Sequence, residues 1–202
     1  MALKEYFVKS GILDRKRRLA VTENYIEFED KDLIGEEFTR FVKADIADFK
    51  YGTDWIVWYK LYVGRHFTIT LKGKDNKELR ISFKGYLRFA NEYEVIYSDL
   101  ISDIRKYFYQ DILDKYLNQF NANEELIFGR IKLSQKGIDV LETGLDFTWT
   151  NLTVKVYQTY FSLYRIDTPE FHIWINFNEW NSGVIYYLTQ RILKDYHINP
   201  SM

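Results

Sequence analysis

The chain has 202 residues, of which 47% are hydrophobic and 28% charged, and its 28 Lys and Arg against 29 Asp and Glu leave a net charge of −1. That composition supplies a packed core and excludes a long disordered or low-complexity tether; it also lacks the bulk positive field that draws proteins to a phosphate backbone, so nucleic acid is not an expected partner. The absence of cysteine removes disulfides, thiol nucleophiles and thiolate metal sites together.

Along the chain, Lys4, Glu5 and Lys9 interrupt the stretch that a secretion signal would need unbroken. The longest apolar run, residues 55–59, is far below the roughly 20 residues that cross a bilayer as a helix. A cytoplasmic protein is expected. Arg15, Lys16, Arg17 and Arg18 form the one dense basic run. It has two readings: recruitment to an anionic membrane, where each cation contributes about 1 kcal/mol, or the solvated opening of a strand whose charges protect its edge.

Residues 18–30, RLAVTENYIEFED, align without gaps to residues 130–142, RIKLSQKGIDVLE. Leu19 matches Ile131, Val21 matches Leu133, Thr22 matches Ser134, Ile26 matches Ile138 and Phe28 matches Val140. Alternating apolar residues on either side of a polar turn predict a β-hairpin in both places. Gly137 is suited to a positive φ in the second turn, and Asn24 takes that role in the first. After the first hairpin, the acidic stretch DKDLIGEE (30–37) bears a faint likeness to a calcium loop. Ile34 stands where an oxygen ligand is needed and no Glu stands twelfth, so a solvated hairpin loop is expected.

WIVWYKLYV (55–63) has no secure counterpart in the second half and concentrates Trp55, Trp58, Tyr59 and Tyr62. These aromatics either grip a partner or the second unit, as exposed aromatics do in interface hot spots, or belong to a strand packed in the core. Trp149, Trp174 and Trp180 are expected in the core or in packing between units. LRISF (79–83) and IWINF (173–177) alternate identically, and each precedes an amphipathic helix. The stripes are Ile96, Leu100, Ile104 and Phe108 in one, and Val184, Leu188, Ile192 and Tyr196 in the other. Helical spacing continues through 109–120 and breaks at 121–125, and this apolar extension is expected to pack between the two halves. Strands near 145–149, 152–157, 160–167 and 170–177 complete the second half, with Pro169 in a turn.

This series resembles the pleckstrin-homology-like superfold, in particular its bacterial and GRAM-type members. The strings LAVTENYIEF and GRIKLSQKGIDVL carry the resemblance, with the steps Asp45-Ile46 and Asn151-Leu152 similar to the segment after the third strand of such domains. It implies an α+β, mainly β fold of two units, each a bent antiparallel sandwich or partly open barrel closed by a C-terminal helix. The first would span 1–120, with an N-terminal extension and an extended closing helix, and the second 121–202. Two departures stand out. The Trp found in many closing helices is absent from 95–120 and 184–196. The first-hairpin turns, Glu23-Asn24 and Gln135-Lys136, also lack the basic cluster that grips phosphoinositides.

No nucleophile elbow, phosphate-binding Gly-rich loop or His-Glu-x-x-His motif occurs. His66 and His172 fall in predicted strands and His197 near the end, without converging partners. Asn151-Leu152-Thr153 fits the glycosylation pattern but has no use in a cytoplasmic protein. The expectation is a non-catalytic binding or scaffold module without cofactor or metal, with a protein or peptide partner. The second reading is attachment to anionic membrane through Arg15, Lys16, Arg17 and Arg18 with help from Trp55 and Trp58, and the third an enzyme of unfamiliar type.

Overall fold

The computed structural model describes residues 3–32, 38–86 and 89–198. It begins with a strand where the sequence predicted only an extension: β1 (Lys4–Val8) pairs antiparallel with β2 (Arg17–Val21). β2 turns into β3 (Tyr25–Glu29), and β4 (Phe38–Val42) completes a sheet of order β1-β2-β3-β4. Leu19 faces Phe28 and Val21 faces Ile26, so the predicted apolar face is buried. The turn works differently from expectation. Asn24 is not among the positive-φ residues; instead the Thr22 hydroxyl oxygen accepts the backbone N–H groups of Asn24 and Tyr25 at 3.2 and 3.1 Å. A short Thr side chain closing its own turn removes the need for a left-handed residue.

A 3-10 turn (Lys43–Asp45) leads to a second sheet, β5 (Ile46–Trp58), β6 (Leu61–Gly73) and β7 (Glu78–Tyr86), paired in that order. The helix α1 (Phe89–Ile104) passes through a π-helical turn (Arg105–Tyr109) into α2 (Gln110–Asn121). Of the predicted stripe, Leu100, Ile104 and Phe108 are buried, joined by Tyr93 and Tyr97. Tyr97 lies against Phe67 and Phe83 of the sheet. Each such fully buried side chain contributes roughly 1.5–3 kcal/mol, enough to fix the helix to its sheet.

The second half repeats the series. β8 (Leu126–Phe128), β9 (Ile131–Ser134), β10 (Gly137–Val140) and β11 (Leu145–Thr148) form a sheet of sequential order. A 3-10 turn (Trp149–Asn151) follows, then β12 (Leu152–Val156), β13 (Tyr160–Arg165), β14 (His172–Asn176) and the helix α3 (Ser182–Ile198). Gly137 has φ +148°, as predicted, and a Cβ there would strike the Phe147 carbonyl. Ser134 repeats the role of Thr22, accepting the Lys136 N–H at 3.3 Å. In α3, Val184, Leu188 and Ile192 are buried as expected.

The chain divides into two compact units, Met1–Gln110 and Asp111–Met202. The division falls after the first residue of α2 rather than at 120, because the rest of α2 packs within the second unit: Tyr116 meets Phe128 and Phe120 meets Trp149, both edge to face. Among the described residues no helix is long and apolar enough to cross a membrane.

Candidate functional site

The hairpin of β5 and β6 outgrows its own sheet. The last row shared by all three strands is Ile56–Gly64–Tyr86; beyond it only the pairs Val57–Tyr62 and Trp58–Leu61 continue, past a register shift at Val57. A Cβ on Gly64 would strike the Gly85 carbonyl oxygen, so glycine lets the strands approach closely where the two-stranded ribbon departs. Tyr59 and Lys60 make the two-residue turn, with Tyr59 at φ +55°. A positive φ at the first turn position suits the right-handed twist of the paired strands, but it is a conformation that side chains resist.

Alternation along the strands distributes the tip over two faces. Trp55, Val57 and Tyr62 continue the face that lower down carries Phe67 into the core, while Ile56, Trp58 and Leu61 continue the opposite face. Trp55 and Tyr62 meet at 5.2 Å between ring centroids, and Trp58 and Tyr59 at 5.6 Å. These contacts leave the rings in water: Trp58 is 66% and Tyr59 89% exposed, and Trp55, Val57, Leu61 and Tyr62 each exceed half. The core alternative for 55–63 is thereby overturned, since neither face meets a second layer. What sequence reasoning missed was the turn itself, for Trp58-Tyr59-Lys60-Leu61 contains no Gly, Asn, Asp or Pro to announce one. The usable signal was the loss of alternation, apolar residues on both faces with Lys60 as the lone charge.

At the root of the ribbon Arg65 lies 4.3 Å from the Trp55 ring centroid and donates to Glu94 at 2.7 Å. The cation holds one indole in place by its charge on the π face. His66, beside it on the other face, approaches Ser82 Oγ at 2.8 Å. Burial, reinforced by Lys84, keeps its pKa below the ordinary imidazole value.

The basic run lies at the entry to β2 and is enclosed by carboxylates. Arg15 pairs with Glu29 and Asp32; Arg17 pairs with Asp14 at 3.2 Å and Asp32 at 3.1 Å. Arg18 pairs with Glu5 at 2.6 Å and Glu27 at 3.1 Å, and Arg40 shares Glu27. Lys16 stands exposed. Glu29 is held below the usual carboxylate range by the Arg18 backbone N–H and then by Arg15, and Asp32 by Arg17 and Arg15. Burial opposes ionisation of Asp14, and Arg17 overcomes it. Of DKDLIGEE, Asp30 accepts from Thr39 and Asp32 serves the arginines, while residues 33–37 lie outside the described ones.

Trp149 is buried as expected, 2% exposed, with its indole N–H on the Ser134 carbonyl at 2.9 Å. Trp174 contradicts the expectation of packing at 61% exposed. Its position was readable, because Ile173, Ile175 and Phe177 on one face of the strand send Trp174 to the other. It lies near Tyr160 and His172. Asn151 holds a loop in place, its side-chain oxygen accepting the Ile166 and Asp167 N–H groups at 3.1 and 3.2 Å. A cleft of about 300 Å³ in the second unit is lined by Leu117, Phe120, Gln135, Ile192, Asp195 and Tyr196. Its lining offers one carboxylate, Asp195, and no histidine. Among the described residues no group of three or more His, Cys, Asp or Glu is arranged to hold a metal ion.

Comparison with known proteins gives one match: a family model described as a family of unknown function, DUF6585, covers residues 47–165, more than half of the chain and all of the β5–β6 hairpin except Ile46. No curated protein and no solved structure matches.

Proposed function

The chain belongs to the DUF6585 family, and since membership assigns no activity, we propose from its surface that it is a non-catalytic binding module of two pleckstrin-homology-like units that engages its partner through the β5–β6 hairpin. The fold part of this reading is supported by the series common to both units: a four-stranded sheet, a 3-10 turn, a three-stranded sheet and a closing helix. The binding part rests on one observation, the exposure of Trp58 and Tyr59, at 66% and 89%, with four further large apolar side chains around them. Burying each would contribute roughly 1.5–3 kcal/mol, which the isolated chain forgoes. Contiguous apolar surface left in water marks an interaction site. The basic run is the weaker candidate, because Arg15, Arg17 and Arg18 already direct their charge to carboxylates.

A photo-crosslinking amino acid in place of Tyr59, activated in the native cell, tests the reading. Adducts at this position above those formed from exposed Lys136 are expected, to protein or to lipid. Equal labelling at the two positions would remove the hairpin as a docking element.

A further inference from the structure

We infer that the β5–β6 hairpin tip inserts into the interfacial layer of an anionic membrane, carrying Trp55, Val57, Trp58, Tyr59, Leu61 and Tyr62 into it; this rests on the binding-module reading and names its partner. Four features of the tip point to a bilayer rather than to a protein groove.

The first is two-sidedness. A strand or hairpin that docks on a protein surface needs one apolar face, with every second side chain left to water. Here Trp55, Val57 and Tyr62 on one face and Trp58 and Leu61 on the other are all more than half exposed. A ribbon apolar on both faces is suited to immersion in a medium that surrounds it.

Backbone satisfaction is the second. The pairs Val57–Tyr62 and Trp58–Leu61 keep the ladder closed nearly to the apex, so the ribbon brings few unpaired N–H and C=O groups with it. Its free length, about three residues beyond the Tyr86 row, reaches about 10 Å at the rise of a strand. That matches the depth of about 5–10 Å at which interfacial elements sit, and falls far short of spanning.

Third, the charges agree with anionic headgroups. Residues 55–66 contain no Asp or Glu; Lys60 stands exposed at the apex while Arg65 is paired with Glu94, and the three-stranded sheet that carries the tip, residues 46–86, has eight Lys or Arg against four Asp or Glu in a chain whose net charge is −1. Trp and Tyr are the residues that concentrate at membrane–water boundaries, with an apolar ring and a polar atom to place on either side of it.

The fourth is the backbone at Tyr59. Among the described residues the other positive-φ positions outside glycine are Asn76, Asn123 and Asn181, at φ +64°, +62° and +63°. Asparagine tolerates that conformation and tyrosine resists it. The chain places an aromatic ring at the apex where it elsewhere places Asn, so the ring is retained for what it touches outside the fold.

Flotation of the full chain with vesicles decides the matter. With vesicles of phosphatidylcholine plus phosphatidylglycerol the chain is expected to float, less so as salt rises and less on phosphatidylcholine alone. The paired change Trp58→Ser with Leu61→Ser should lower the bound fraction about tenfold or more, since it removes the apolar surface that enters the lipid. Brominated lipid should quench part of the Trp emission of the parent but not of a Trp55→Phe, Trp58→Phe variant, which still floats. Absence of flotation on both vesicle types, flotation untouched by the Ser pair, or absence of quenching would each overturn the inference. If the crosslinker at position 59 captures protein while no vesicle floats the chain, the membrane falls and the binding module stands; if it captures neither protein nor lipid, both fall.

Discussion

The β5–β6 hairpin and its counterpart β12–β13 start from equivalent rows and end differently. Phe49–Leu71–Leu79 in the first unit corresponds to Val154–Leu163–Ile173 in the second, and the next row, Tyr51–Ile69–Ile81, to Val156–Phe161–Ile175. At that point the second hairpin turns back, Tyr157 N–H bonding the Tyr160 carbonyl at 2.8 Å. The first runs on to Trp58. Two units with the same series of elements show how much hairpin the fold requires, and the remainder of β5 and β6 is surplus to it. That surplus contains the exposed aromatics.

The largest test of this contrast sets a Trp that serves folding against one that does not. Trp149→Ala removes a fully enclosed ring packed edge to face on Phe120 and leaves the Ser134 carbonyl without its indole donor. A loss of about 3–5 kcal/mol in urea unfolding is expected. Trp58→Ala should stay within about 0.5 kcal/mol of the parent, as exposed positions do. Comparable losses from the two would mean that the tip is packed, and the contrast would collapse. Next in size is Gly64→Ala, whose Cβ would meet the Gly85 carbonyl oxygen and lie 3.2 Å from the Tyr86 Cα. Overpacking of this kind costs about 1–3 kcal/mol, read from the same unfolding curves. A neutral result would show that the ribbon does not depend on close approach where it leaves the sheet.

Much of the scaffold on which this contrast rests could be read from residue order. Both first hairpins were legible because their apolar faces alternate and the same pattern recurs in 130–142. The α1 and α3 stripes were legible because each must bury one side. β1 and β8 were not: β1 buries only Val8 among its five residues, and β8 has three residues in all, too little pattern for a period to emerge. The expected left-handed Asn24 lost to the Thr22 hydroxyl, a side-chain bond that propensity does not anticipate. The tip defeated prediction for the opposite reason. Aromatic and β-branched residues predict a buried strand, and in a ribbon that packs on nothing the counter-signal is the loss of alternation rather than a period of its own.

A smaller effect separates what Tyr59 does for the fold from what it does at the surface. Tyr59→Asn places at φ +55° a residue that the chain already tolerates at Asn76, Asn123 and Asn181. Relief of the left-handed strain should stabilise the protein by up to about 1 kcal/mol, measured as a raised urea midpoint. The same change should weaken vesicle binding of the hairpin. A variant that lost both stability and binding would show that the ring supports its own turn, and the reading of Tyr59 as a contact residue would fail.

The smallest expected difference lies at the other end of the first unit, in the ion network around β2. Glu29, Asp14 and Asp32 are held below their ordinary values of 4.5, 3.8 and 3.8. A depressed carboxylate contributes stability that is fully present above its unfolded value and is lost as pH falls through the folded one. Among the described residues of the second unit Asp167 is the carboxylate so held, by Asn151 and Thr168. Amide exchange corrected for intrinsic rates should therefore show β2 and β3 equally protected from pH 7 down to about 4.5, with protection then falling earlier than in β9 and β10. Exposed ion pairs contribute little individually, so the difference should be modest and should shrink with salt. Equal acid responses in the two hairpins would mean that the carboxylates around Arg15, Arg17 and Arg18 cancel charge without stabilising β2, and that their arrangement serves only to keep that basic run occupied.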